Sequence, residues 1–171
     1  MKFSPRLTYL ISFLIICGLL GITTYLQAHD GINPCPLCIL QRLTLAVLGV
    51  LFFFGAVLCL KKCGRYFLSA LCLLISSAGG ALAGRQIWLQ HLPTSQNVDC
   101  GASLQYMMQV LPLHEVLDKV LAGSAECSQI GWQFLNLSLA EWSLVCFTLF
   151  FIVSLGQFIS AGCTKRCGTI K

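Results

Sequence analysis

Residues 7–26 read LTYLISFLIICGLLGITTYL, twenty positions without a single charge. A helix rises 1.5 Å per residue, so about 20 apolar residues cross a hydrocarbon core roughly 30 Å thick. This run is therefore long enough to span a bilayer. Three more runs of that kind follow, at 39–60, 66–84 and 143–161. The second carries Arg42 near its start, and the third is interrupted by Ser76-Ser77 and Gly79-Gly80. Small residues in a spanning segment are expected where two helices approach closely. Inside lipid only helices and closed barrels satisfy their backbone, and a barrel would show alternation instead of solid apolar runs. The expected fold is an all-α membrane protein, a bundle of four transmembrane helices forming a single integral membrane domain over 1–171.

The whole composition agrees with this reading. Of 171 residues, 57% are hydrophobic and only 10% charged, with a mean hydropathy of +0.81. Soluble domains carry about 25% charged residues. Disorder, which needs low hydrophobicity and high charge, is excluded. The formal net charge of +5 comes from basic residues that are scattered and form no stripe, so no nucleic-acid partner is expected. The expected partner surface is the lipid bilayer.

The charges sort by side. Lys2, Arg6, Lys61, Lys62, Arg65, Lys165, Arg166 and Lys171 fall at the two ends of the chain and in the loop after the second run, with no acidic residue among them. The opposite side receives Asp30, Asp99, Glu115, Asp118, Glu126 and Glu141, against Arg42, Arg85 and Lys119. Basic residues mark the cytoplasmic side, so both termini are expected in the cytoplasm. The first run is too long for the 7–15-residue core of a signal peptide, and Leu26-Gln27-Ala28 is a poor cleavage site, so it is expected to remain.

Two loops then face the far side, one at about 27–38 and a long one at about 85–142. Trp88 and Trp142 stand at the ends of the long loop, where aromatic rings favour the membrane–water interface. Within it Leu113, Val116, Leu117, Val120 and Leu121 recur at helical spacing, with Glu115, Asp118 and Lys119 on the other face and Pro112 suited to a first helical position. This predicts a short amphipathic helix. Its apolar face is expected to lie in the bilayer interface, in preference to covering a small core of the loop itself.

Eleven cysteines divide the same way. Cys17, Cys72 and Cys146 sit within the apolar runs and read as inert small hydrophobes. Cys59, Cys63, Cys163 and Cys167 form two C-x3-C spacings at the cytoplasmic end. A metal site or palmitoylation is open to them, but reduced bystander thiols are the simpler reading. Cys35, Cys38, Cys100 and Cys127 lie on the far side, where an oxidising compartment favours disulfides. Cys35-Pro36-Leu37-Cys38 is a C-x-x-C at the start of the second run, where a helix N-terminus favours thiolate. A zinc site of four cysteines is the alternative, but Cys100 and Cys127 are not a second close pair, so no metal is expected. Arg42, four residues after Cys38, shares its helical face and can hold a thiolate or an oxyanion. Exchange among disulfides only moves oxidation from place to place. Net oxidation needs an acceptor, and the chain has neither G-x-G-x-x-G nor C-x-x-C-H. A membrane-soluble quinone would serve without such a motif.

These residues together resemble the bacterial disulfide bond formation protein B (DsbB) family. The resemblance rests on Pro34-Cys35-Pro36-Leu37-Cys38 with Arg42 one turn later, on Cys100 and Cys127 in the long loop, and on the stretches GRQIWLQHLP (84–93), DCGASLQYMM (99–108), GSAEC (123–127) and WQFLNLSLAEWSL (132–144). It implies an enzyme of the bacterial inner membrane that reoxidises a periplasmic thioredoxin-fold thiol oxidase (DsbA) and passes electrons to a quinone, ubiquinone or menaquinone. Cys100 and Cys127 then match the pair facing the soluble partner, and Cys35 and Cys38 the pair beside the quinone, with Cys38 next to its ring. Arg42 matches an arginine that supports quinone binding and the Cys38 thiolate, and His91 a histidine near the quinone. Gln41 stands where some members have an acid and receives no proton-transfer role.

Two other readings stand beside this one. A tetraspan structural or partner-binding protein would use its outer disulfides only to hold its loop. In the chain-entropy model, closing Cys100 to Cys127 contributes roughly 3–4 kcal/mol. A vitamin K epoxide reductase-like enzyme shares the membrane dithiol logic, but the four spans and the cysteine pair between spans 3 and 4 favour the DsbB-like reading.

Overall fold

The computed structural model describes residues 5–30, 35–58, 62–91 and 137–162, with positions 109, 112, 114–116 and 133–134 of the long intervening segment. Its main elements are α1 (Pro5–Asp30), α2 (Pro36–Val57), α3 (Lys62–Gln90), the two-residue strands β1 (Gln133–Phe134) and β2 (Leu137–Ser138), and α4 (Leu139–Gly162). The four helices are each long and apolar enough to cross a membrane, and the third has the lowest hydropathy, 1.8 against 2.1–2.2 for the others. All four exceed the apolar runs that announce them at one end or both. The largest difference is in α3, which runs to Gln90 where the apolar pattern stops at 84. Arg85, Gln86 and Trp88 are therefore helical and not part of a loop.

Local chemistry sets two of the helix starts. Cys35 is the N-cap of α2, with φ −62° and ψ 155°, its sulfur accepting the Cys38 N–H, and Pro36 takes the first helical position without losing a needed donor. At α4 a capping box forms: Glu141 Oε2 accepts the Ser138 N–H at 2.6 Å, and the Glu141 N–H points to Ser138 Oγ at 3.4 Å. Ser138 Oγ also donates to Gln90 Oε1 at 3.1 Å, so the start of α4 is tied to the end of α3. β1 and β2 pair antiparallel, Gln133 with Ser138 and Phe134 with Leu137, a hairpin the apolar pattern did not reveal.

The bundle is apolar outside and carries polar side chains within its apolar interior. Leu14, Leu43, Phe67, Leu74 and Ile152 are among many large apolar side chains left exposed, whereas Ser12, Gln41, Ser69, Ser76, Gln86 and Ser154 are buried. A bilayer accepts the first group, and hydrocarbon penalises the second unless each polar group has a partner. Tyr9 Oη meets Ser69 Oγ at 3.0 Å, and Ser76 Oγ donates to the Cys72 carbonyl at 2.6 Å. Around them Tyr9, Ile16, Leu48, Phe52, Leu68, Cys72 and Phe150 form the main core, drawn from all four helices. α3 packs along α4, and α2 lies between α1 and α3.

The small residues of α3 do mark a close approach. A Cβ on Gly79 would stand 2.3 Å from Phe147 Cε1, and Phe147 is buried. Of the amphipathic helix expected from Pro112 onward, the described residues show one helical turn. Its Glu115 and Val116 N–H groups both donate to the Pro112 carbonyl. Val116 packs on Cys35, Leu37 and Leu89, so this part of its apolar face covers the protein itself, where the sequence had favoured the bilayer interface. Leu117, Val120 and Leu121 lie outside the described residues.

Gly79→Ala is expected to destabilise the bundle by about 1–3 kcal/mol, the usual cost of overpacking, despite alanine's better helix propensity. Gly84→Ala, which meets nothing within 4 Å, should be neutral or mildly stabilising. Thermal unfolding of the two variants in detergent, compared with the parent, checks this.

Candidate functional site

At one end of the bundle the start of α2 meets the end of α3, and the C-x-x-C lies between them. Cys35 is 6% exposed and packs with Leu37, Leu89 and Val116, while Cys38 is half-buried at the edge of the same cluster. Their sulfurs are 2.7 Å apart, close enough to be joined as a disulfide. The Cys38 N–H donates to Cys35 Sγ at 3.3 Å, because the N-cap side chain of a helix faces the free N–H groups of its first turn.

α3 contributes a group the sequence reading passed over. Gln86, 4% exposed, directs Nε2 at both sulfurs, 3.2 Å from Cys38 Sγ and 3.6 Å from Cys35 Sγ. Its Oε1 accepts from Gln41 Nε2 at 2.8 Å, and Gln41 is itself buried. Two amides thus run in series from α2 through α3 to the sulfurs. A signal existed: a buried amide in a spanning helix is expensive and tends to be functional. It was missed because the apolar pattern ended α3 at 84, which left Gln86 in the loop.

Arg42 is half-buried and reaches across to α1, where Nη1 donates to Gln27 Oε1 and Nη2 to the Thr23 carbonyl at 3.3 Å. Its spacing from Cys38 is that of one helical turn, as read from the sequence, but its partners come from a different helix. His91 follows the end of α3, is exposed, and its Nδ1 lies 2.9 Å from the Ile87 carbonyl. Arg85 places its guanidinium 4.2 Å from the centre of the Trp88 ring. Cys100 and Cys127 lie outside the described residues, as do Cys59, Cys163 and Cys167. Cys63 is exposed in the first turn of α3, at the opposite end of the bundle. Among the described residues no group of three His, Cys, Asp or Glu side chains is placed to hold a metal ion.

A buried dithiol at a helix mouth, in a four-span bundle, is the arrangement to set against known proteins. The family model described as Disulfide bond formation protein DsbB matches residues 5–157. Disulfide bond formation protein B 1 of Pseudomonas aeruginosa is 40% identical over 156 residues, covering 91% of this chain and 96% of that protein. Disulfide bond formation protein B of Stutzerimonas stutzeri is 41% identical over 156 residues, with the same coverage. That of Hahella chejuensis is 41% identical over 142 residues, 83% of this chain and 86% of its own. The chain belongs to the DsbB family. It is a multi-pass bacterial membrane protein of disulfide bond formation, with an oxidoreductase role.

For a DsbB-family chain the contrast in burial between the two sulfurs has a direct chemical reading. After reduction, a small alkylating reagent should modify Cys38 before Cys35, which lies under Leu37, Leu89 and Val116. Cys72, fully buried in the main core, should react only on unfolding. Peptide mapping by mass spectrometry over a time course gives the order.

Proposed function

We propose that this protein reoxidises a periplasmic thioredoxin-fold thiol oxidase of the DsbA type and passes the electrons to a membrane quinone, ubiquinone or menaquinone. The observation that carries the reading is the site of the Cys35–Cys38 pair. It is enclosed by protein on the α3 side, while Cys38 is half-buried at the edge of that cluster, and Ile39 and Leu43 of the same helix are exposed as lipid-facing residues would be. A bulky soluble protein reaches such a pair poorly and a small lipid-soluble acceptor reaches it well. The distribution of basic residues in the sequence supports a topology with both termini in the cytoplasm and the C-x-x-C in the periplasm.

The relay is one of thiol–disulfide exchange. A thiolate of the reduced partner attacks the Cys100–Cys127 bridge at Cys100, forming a mixed disulfide as Cys127 leaves as thiolate. The Cys127 thiolate then attacks the Cys35–Cys38 disulfide, bonding to Cys35 as Cys38 leaves, and the partner's second thiol displaces Cys100, which releases the partner oxidised. The Cys100 thiolate next attacks Cys127, which reforms the Cys100–Cys127 bridge and leaves Cys35 and Cys38 reduced. A quinone supplies the final acceptor, taking two electrons and two protons as the Cys35–Cys38 disulfide is restored. Cys38, Arg42 and His91 are the residues that would hold it. Arg42 is pinned to α1 by Gln27 and Thr23, so its charge is preorganised and little reorganisation is needed when negative charge develops nearby.

Turnover of purified protein with a reduced DsbA-type partner and quinone, followed by quinone absorbance, tests the proposal. Absence of turnover with either quinone would favour a protein whose disulfides are structural. Arg42→Ala is expected to lower quinone turnover by about a hundredfold, the usual loss when a fixed donor to developing negative charge is removed. Arg42→Lys should lose less, because it keeps the charge without the planar fork.

The order of exchange gives a further expectation. Cys127→Ser should accumulate a partner complex linked through Cys100, and Cys100→Ser should give none. Non-reducing gels with mass spectrometry of the linked peptide decide this, and an adduct found mainly at Cys35 would reverse the order.

A further inference from the structure

The two sulfurs of the C-x-x-C share the Gln86 amide as a donor, closer to Cys38, and differ in a second donor. Cys35 Sγ, as the N-cap, has the Cys38 backbone N–H at 3.3 Å, a donor supplied by the helix itself. Cys38 Sγ lies inside the first turn, and Gln86 Nε2 stands closer to it, at 3.2 Å, than to Cys35 Sγ, at 3.6 Å. Neutral sulfur is a weak acceptor, whereas a thiolate gains a charge-assisted hydrogen bond. A buried amide aimed at sulfur therefore matters most when that sulfur is negative. Its orientation is held from behind: Gln41 Nε2 donates to Gln86 Oε1 at 2.8 Å, which leaves Gln86 Nε2 as the end that faces the sulfurs. Both glutamines are buried, at 6% and 4% exposure, so water does not compete freely for these bonds.

We propose that the Gln86 amide, oriented by Gln41, makes Cys38 and not Cys35 the seat of negative charge when the Cys35–Cys38 disulfide opens. This rests on the relay proposed above and names a residue that steers it. An incoming thiolate bonds to Cys35 Sγ, the Cys35–Cys38 bond breaks, and its electron pair leaves on Cys38 Sγ, where Gln86 donates. Without that donor the helix N-terminus favours charge on Cys35, and the less buried Cys38 sulfur becomes the one attacked. Gln41 acts as a positioning residue through Gln86.

Other charged or titratable groups at this end have neighbours of their own, Glu141 of α4 among them, which accepts the Ser138 N–H. Arg42 of α2 is bonded to Gln27 and Thr23 of α1, and His29 of α1 stacks near Tyr25. Arg85 of α3 lies over Trp88, and His91 meets the Ile87 carbonyl. His114 and Glu115, beside Val116, are exposed and 4.0 Å from each other.

The test uses the full chain in detergent, reduced with dithiothreitol, desalted and treated with iodoacetamide at neutral pH. Initial alkylation of Cys38 and of Cys35 is read from their peptides by mass spectrometry as a ratio. Gln86→Met, nearly the same size and without a donor, is expected to lower the Cys38:Cys35 ratio by about tenfold, the worth of one hydrogen bond to a charged group. Gln86→Glu, which offers only acceptors, should lower it at least as far, and Gln41→Leu should lower it part of the way. A role confined to packing predicts no change in the ratio for either of the first two variants. Should Gln86→Met lose the fold, reported by alkylation of Cys72, the Gln86→Glu ratio decides. A ratio that stays within twofold of the parent in the folded variants overturns the inference.

The assay contains neither quinone nor soluble partner, so the two readings fail separately. If the relay is wrong, the parent reduces no quinone while its ratio still depends on Gln86. If the steering is wrong, the parent turns over and the ratio does not move.

Discussion

Hydrocarbon offers no hydrogen bonds, and almost every feature of this bundle follows from that one property. It forces the backbone into helices long enough to close their own bonds across the bilayer. It also reverses the usual sorting of side chains, so that Leu14, Phe67 and Ile152 face outward and Ser69, Ser76, Gln41 and Gln86 turn inward. Once inward, a polar group gains from a partner, and several partners found on other helices fix how the helices sit. Tyr9 with Ser69 joins α1 to α3, Gln41 with Gln86 joins α2 to α3, Arg42 with Gln27 and Thr23 joins α2 to α1, and Ser138 with Gln90 joins the start of α4 to the end of α3. Small residues let the apolar contacts close around these bonds, as Gly79 does against Phe147.

The same constraint shapes the chemistry. A dithiol placed where α2 begins is shielded on one side by Leu37, Leu89 and Val116, yet Cys38 stays near the edge. In that setting a donor to sulfur acts without competition from bulk water, and a single amide has leverage that it would lack on a soluble surface. Gln86 has this position because α3 continues for a further turn and a half past its apolar run, carrying polar residues up to the level of the cysteines. Arg42 gains rigidity from α1 in a similar way. The cysteines are thus supplied with donors by their own helix and a neighbouring one, and their different surroundings separate two residues that are otherwise alike.

Much of this was legible from the chain itself. Four runs of sufficient length, free of charge or nearly so, are enough to specify four spanning helices, because lipid permits little else. The C-x-x-C, its place at a helix start and the turn that separates it from Arg42 follow from local spacing alone. The close contact at Gly79 was also announced by the small residues around it. Less visible were the helix ends. Apolar periodicity reports where lipid begins and ends, whereas helices continue into polar sequence wherever capping allows. α3 therefore reached Gln90, and the capping box at Ser138 and Glu141 opened α4 four residues before its apolar run.

What the sequence determined by itself is one-dimensional: which segments cross, which residues share a helical face, and where a thiol pair sits within a turn. Tertiary structure alone decided what meets that pair from elsewhere. Val116 was expected to face lipid and covers Cys35; Arg42 was expected on the face of Cys38 and takes its partners from α1; Gln86 was read as loop and donates to both sulfurs. The physical reason is that a spacing of three or four residues sets neighbours within one helix, but gives no information on the register between helices. That register comes from packing four helices so that buried polar groups on different helices meet, as Tyr9 with Ser69 and Gln41 with Gln86 do, a condition that no single segment contains.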